Sequence, residues 1–296
     1  MIWNFYFSGI LYAKFREEKE TLTAQVLNME TGRLGEEKPF GEKENEFLQK
    51  LCSRSIAYLF EKKAAYEEKI AQKQETFILD GARFTDRRGE AYIQRDKKFP
   101  TDLFYENGKI WAVLMSGRDY TAVLVREGME ERTILRAWDE VYPDRRCFGV
   151  RFLGTDFVKT RDGERLASDV YLPSEGQRFP TVLIRTPYGK KRGAEGYFRF
   201  VQRGYAVVIQ DVRGREDSTG EWMPQYYEIE DGDDTLNWIA AQPWSDGKVG
   251  MTGGSYLGYV QWAAAASGNP HLKAMLSSVC AGSAFIDLPR RGGCFD

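Results

Sequence analysis

Gly253-Gly254-Ser255-Tyr256-Leu257-Gly258 closes an apolar run, Lys248-Val249-Gly250-Met251-Thr252, and opens a helical one, Val260-Gln261-Trp262-Ala263-Ala264-Ala265-Ala266. A serine on a sharp strand-to-helix turn, flanked by glycines, reads as a nucleophile elbow. The serine backbone is strained there and both flanking chains pass close by, so its neighbours must be small. The following helix points its N-terminus, with free N–H groups and the positive end of its dipole, at the site of attack. The second glycine comes one residue later than strict G-x-S-x-G spacing allows, at Gly258. Taken alone the hexapeptide also fits an ordinary strand–helix turn, so the surrounding chain has to decide.

Outward from the elbow, the rhythm from Phe157 onward is strand, turn, strand, helix, strand. Phe157-Val158-Lys159-Thr160, a turn at Arg161-Asp162-Gly163, and Leu166 to Leu172 form an opening hairpin. Thr181-Val182-Leu183-Ile184-Arg185 and Tyr205 to Gln210 are continuous apolar runs, as expected of parallel strands buried on both faces. Residues 196–202 read as a crossover helix, 228–241 as the next, and 249–252 and 274–279 as two further strands. Such alternation implies a doubly wound, mostly parallel α/β sheet.

The first half of the chain differs. Short strand-like runs fill residues 1–40. One long helix is expected over about 42–74, where Phe47, Leu48, Leu51, Ile56, Leu59, Phe60, Tyr66 and Ile70 recur at three- and four-residue steps. From Thr76 to Leu135 the pattern is a β-meander, with Asn107-Gly108 a strong hairpin signal. Residues 139–154, with Tyr142-Pro143-Asp144-Arg145-Arg146, read as a linker. The expected layout is an α+β domain at 1–147, without a visible catalytic constellation, and the α/β domain at 148–296.

Composition removes several function classes. The 296 residues, 42% of them hydrophobic, suffice for about two cored domains. A net charge of -2 gives no basic footprint for nucleic acid. Cys52, Cys147, Cys280 and Cys294 are scattered without a C-x-x-C pair, against a zinc site or disulfide framework and consistent with a cytoplasmic location. The apolar N-terminal stretch is short and lacks a basic n-region, so no membrane segment is expected. No cofactor is called for. Asp231, Asp233 and Asp234 read as helix N-terminal charge, not as a metal site.

Three more segments fall at strand C-terminal ends, where open α/β sheets place their sites. They are Thr186-Pro187-Tyr188-Gly189-Lys190, the run Asp211-Val212-Arg213-Gly214-Arg215-Glu216-Asp217-Ser218-Thr219-Gly220, and Trp238 to Gly247 ahead of the elbow strand. In this order and spacing, residues 157–287 resemble the cocaine-esterase-like and X-Pro dipeptidyl-peptidase (S15) group of α/β-hydrolases, also termed CocE/NonD hydrolases. The resemblance implies serine hydrolase chemistry on small ester or peptide substrates. Ser255 would be the nucleophile, matching the family's G-x-S-Y-x-G, which accounts for the late Gly258. The backbone N–H of Tyr256 and the phenol of Tyr188 would form the oxyanion hole. Pro187 offers no N–H where many esterases present a glycine-rich loop, so a side-chain donor is a sensible substitute. Asp211 and Arg213 are expected to tie down their loop, and Trp238 and Trp244 to pack beside the elbow strand.

The activating base is missing. A serine hydroxyl needs a general base and an orienting carboxylate, in the order Ser, Asp or Glu, His along this fold. The sole histidine, His271, follows Ser255 directly and should enter the next strand at its far end; Asp287 and Asp296 come later still. His271 is therefore not the base. Family members continue with a cap and with strands bearing Asp and His, so the expectation is a domain cut short before them, inactive by itself. Its last strand would be exposed and prone to self-association. The competing expectation is a non-catalytic scaffold or partner-binding protein with a degenerate hydrolase domain.

Overall fold

The computed structural model describes residues 1–19, 21–144 and 146–280. It divides into two compact units, residues 1–146 and 147–296.

The first unit is built on one eleven-stranded antiparallel sheet. Its strands are β1 (Ile2–Phe7), β2 (Ile10–Glu18), β3 (Thr21–Asn28), β4 (Arg33–Leu34), β5 (Lys38–Pro39), β6 (Thr76–Leu79), β7 (Ala82–Arg87), β8 (Ala91–Gln94), β9 (Thr101–Glu106), β10 (Lys109–Ser116) and β11 (Thr121–Arg126). β11 returns to pair with β1, joining the N-terminal strands and the meander into one surface. Asn107 and Gly108 both take positive φ, 52° and 73°, as a two-residue turn between β9 and β10 requires.

The expected single helix over 42–74 is two helices, α1 (Glu42–Cys52) and α2 (Ile56–Ala71). Ser53 caps α1 in the left-handed region at φ 55°, and the Ser55 hydroxyl accepts the Tyr58 N–H to start α2. The apolar stripe runs on through this break because both helices lie on the same sheet face, where Phe60 packs against Trp3 and Phe15. Thr133 to Leu135, the end of the expected meander, instead lead into α3 (Leu135–Val141), which covers Trp111 and Val125 on the other face.

The second unit carries β12 (Val150–Lys159), β13 (Arg165–Pro173), β14 (Phe179–Thr186), α4 (Phe198–Val201), β15 (Ala206–Asp211), α5 (Glu228–Ala240), β16 (Ser245–Gly254), α6 (Tyr256–Ala266) and β17 (Leu272–Ser278). Its sheet order is β12-β13-β15-β14-β16-β17. β12 and β13 form the antiparallel opening hairpin, and β15, β14, β16 and β17 are parallel. This is the α/β-hydrolase arrangement in part. β12 begins inside the stretch expected to be linker, and the expected crossover helix at 196–202 is only a 3₁₀ turn followed by the four-residue α4.

The apolar runs of β14 and β15 split between two faces. Leu183 and Val208 pack under α5 and α6 with Leu236, Ile239 and Val260. Val182, Ile184, Val207 and Ile209 meet Ala194 and Val201 on the opposite face. Burial on both faces is why these strands read as continuous hydrophobic runs. Among the described residues β17 pairs with β16 alone, and Leu276 is exposed. No helix among them is long and apolar enough to cross a membrane. Cys294, Asp287 and Asp296 lie outside the described residues.

Candidate active site

Ser255 stands between β16 and α6 with φ 59° and ψ -122°, a conformation that side chains other than glycine rarely hold. Its hydroxyl makes no capping bond to the helix, and the residue is exposed. The backbone is fixed on both sides. Its N–H donates to the carbonyls of Ser278 (3.0 Å) and Val279 (3.2 Å), and its carbonyl accepts from Gly258 and Tyr259.

The two outer glycines answer to close approach. A Cβ on Gly253, whose φ is 140°, would lie 2.5 Å from Leu257 Cβ. One on Gly258 would lie 2.7 Å from Cys280 Cβ and 2.9 Å from Ser277 Oγ. The late position of the second glycine thus follows from where the end of β17 crosses the first turn of α6.

Gln261, fully buried on α6, binds the turn from inside. Its side-chain amide donates to the carbonyls of Gly253 (3.1 Å), Leu257 (2.8 Å) and Leu276 (3.3 Å), joining β16, α6 and β17. Its Oε1 has no partner among the described residues. The amide is therefore oriented by three acceptors and no donor.

Tyr188 leaves the same end of the sheet. β14 and β16 are parallel neighbours with Leu183 opposite Met251, so three residues further each strand ends, at Thr186 and at Gly254. Tyr188 and Ser255 both follow at once. The Tyr188 loop is tied by its own N–H to Thr186 Oγ1 (3.1 Å), by Arg215 Nε to the Pro187 carbonyl (2.9 Å), and by Lys190 to Asp211. The ring itself is 52% exposed, and its phenol has no hydrogen-bond partner among the described residues.

Asp211 and Arg213 hold this region as expected, but not as a pair with each other. Asp211 takes the Lys190 N–H (2.6 Å) and Nζ (2.8 Å). Arg213 reaches across to Asp231 and Asp162, with its nearest contacts at 2.5 Å. The Arg213 guanidinium and the Thr160 hydroxyl hold the Asp162 carboxyl well below the usual carboxylate range. Trp238 and Trp244 pack edge to face in the core beneath β16, as expected.

Asp231 lies in the first turn of α5, as expected, but it is buried and ion-paired. It is 1% exposed, bonded to Arg213 and facing the fully buried Arg185. Asp233 and Asp234 instead pair with Arg161 at the surface. Among the described residues no group of three His, Cys, Asp or Glu side chains is placed to hold a metal.

Arg185 and Glu228 form a buried pair that sequence reasoning missed. Arg185 Nη1 meets Glu228 Oε2 at 2.7 Å, and its Nε donates to Gln210 at 2.7 Å. Glu228 in turn accepts the Tyr256 hydroxyl at 2.6 Å. A signal existed: Arg185 ends an otherwise apolar, doubly buried run, and a charge there must be paired.

His271 lies at the other end of the sheet. Its Nδ1 is 2.9 Å from the carbonyl of Gly247, near the start of β16. Eight residue steps of extended strand lead from Gly247 to Ser255, roughly 25 Å. Ser255, the Tyr256 N–H and the Tyr188 loop therefore lie at one end of neighbouring strands, and the imidazole at the other.

Residues 162–296 match the X-Pro dipeptidyl-peptidase (S15) family. The match takes in most of the C-terminal unit and a little under half of the chain. A stretch of 128 residues is 47% identical to the cocaine esterase of Rhodococcus sp. (strain MB1 Bresler), covering 41% of this chain and 22% of that protein. Among solved structures, a CocE/NonD family hydrolase from Staphylococcus aureus is 30% identical with a TM-score of 0.38, covering 43% of this chain and 30% of the other. An alpha-amino acid ester hydrolase is 28% identical with a TM-score of 0.42, covering 48% and 26%. The chain thus spans less than a quarter of the length of the cocaine esterase, and the S15 match stops short of the N-terminal unit.

Proposed function

We propose that the S15-family unit performs serine hydrolase chemistry on ester or amide bonds, X-Pro dipeptidyl amides included, through an acyl-enzyme on Ser255. The observation that carries this reading is an exposed serine held at positive φ on a strand-to-helix turn, with no capping bond to its hydroxyl among the described residues. In the reaction Ser255 Oγ attacks the carbonyl carbon while a base takes its proton. The carbonyl oxygen becomes an oxyanion that accepts from the Tyr256 N–H and the Tyr188 phenol. Collapse expels the alcohol or amine, which takes the proton back from the base, and water then repeats the sequence to release the acid.

Tyr256 opens α6, so its N–H has no acceptor inside the helix. The Tyr188 phenol, without a hydrogen-bond partner among the described residues and on a loop fastened at three points, suits a donor that must already be in place when charge develops. His271, the one histidine in 296 residues, lies at the opposite end of the sheet and is not the base.

The test is fluorophosphonate labelling of the native protein as isolated from its host. Labelling that Ser255→Ala abolishes supports the hydrolase. A folded protein that does not label supports the reading in which this unit is a non-catalytic scaffold, which the position of His271 favours.

A further inference from the structure

The residue after the nucleophile needs only a backbone N–H to serve an oxyanion, yet Tyr256 carries a side chain fixed at its far end. Its phenol donates to Glu228 Oε1 (2.6 Å) and accepts the Gln225 N–H (3.1 Å), while its ring packs on Trp222 with centroids 5.6 Å apart. Glu228 is 4% exposed and is held in turn by Arg185, which is fully buried. Arg185 sits on β14, three residues before Tyr188. The chain of contacts therefore runs from the strand that delivers one proposed oxyanion donor to the residue that supplies the other.

We infer that Glu228 and the Tyr256 phenol are positioning residues for the Tyr256 N–H; the inference rests on the hydrolase reading above. The physical reason lies in the strain at Ser255. Relaxing its positive φ rotates the peptide plane between residues 255 and 256 and swings the Tyr256 N–H away from the oxyanion. A helix-terminal residue frays readily, and packing of the Tyr256 ring on Trp222 and against the core beneath β16 does not by itself set the direction of its N–H. A phenol bonded to an ion-paired carboxylate is a strong, directional anchor. It fixes the Tyr256 Cα, and so the plane its N–H belongs to. Burial, and then the adjacent Glu228, push the phenol's pKa upward, which keeps it a donor into alkaline solution.

The experiment measures phosphonylation of the native protein by a fluorophosphonate, separating the limiting rate from the binding constant, together with the ³¹P shift of the adduct. The phosphonyl oxygen of that adduct occupies the oxyanion position, so its shift reports the donors directly. Tyr256→Phe keeps the ring and the N–H and should slow the limiting rate about 10- to 100-fold, with binding unchanged and a displaced ³¹P shift. Glu228→Gln keeps an acceptor but loses its charge and should fall between, roughly fivefold slow. If Tyr256→Phe does not fold, Glu228→Gln carries the test. Wild-type rate and wild-type ³¹P shift in the variants overturn the inference and leave the hydrolase intact. A wild-type protein that does not label, or a Ser255→Ala variant that still does, overturns both.

Discussion

Replacing Gln261 by glutamate tests the interior of the elbow with an almost isosteric change. The wild-type side chain is fully buried and offers its amide N–H groups to three carbonyl oxygens. A carboxylate there would face three acceptors with no cation among the contacts. It must therefore be protonated in the folded state, with a pKa raised toward the 8–9 documented for buried glutamates, against about 4.3 in the unfolded chain. The sign follows directly: for an acid whose folded pKa is raised, the penalty is absent below about pH 4.3 and grows with every pH unit up to the folded pKa. At about 1.36 kcal/mol per unit it comes to about 1 kcal/mol near pH 5 and about 3.7 kcal/mol near pH 7. Urea unfolding of wild type and Gln261→Glu at these two pH values should show their difference widening by about 2.6 kcal/mol. Gln261→Met removes the same hydrogen bonds without a titrating group, so its deficit should not depend on pH. A glutamate variant whose deficit is the same at both pH values would mean that position 261 is solvated and that the elbow is not bound from within.

Tyr188→Phe should slow Ser255 labelling about 10²- to 10³-fold while leaving the melting temperature in place, because the half-exposed phenol has no partner to lose among the described residues; a wild-type rate would remove Tyr188 from the oxyanion site. Gly253→Ala combines strain at φ 140° with a Cβ 2.5 Å from Leu257 Cβ, and should cost about 2–5 kcal/mol in denaturant unfolding. A neutral alanine would show that the turn is loosely packed. Asp162 is held below its unfolded pKa by Arg213, so its stabilising effect is complete above about pH 4 and fades as the pH falls further. Melting curves of wild type and Asp162→Asn should therefore differ modestly at neutral pH, by under about 1 kcal/mol for so exposed a carboxylate, and converge in acid; parallel curves would contradict the pairing.

The hydrolase sheet was legible because its signals are local. Doubly buried strands announce themselves as unbroken apolar runs, and a serine at positive φ needs small neighbours within a few residues. What stayed hidden depends on partners distant in sequence. Asp231 carries the local signature of a helix N-terminus, and only the folded sheet brings Arg185 and Arg213 against it. Gln261 sits among alanines on a helix whose outer face also tolerates polar residues, so nothing adjacent marks it as buried. The break between α1 and α2 was concealed by a hydrophobic stripe that keeps its phase across Ser53-Arg54-Ser55. The better guide there was the pair of serines, each able to occupy a cap.

Everything attributed to Ser255 gathers at the ends of β14 and β16, while the exposed segment 174–178 enters β14 from the opposite side of the sheet. That segment is consequently the natural place to splice in an affinity tag, a fluorophore or a tether to a surface. A graft there would report on or immobilise the unit from the side remote from its chemistry, leaving the mouth of the site open to whatever is offered to it.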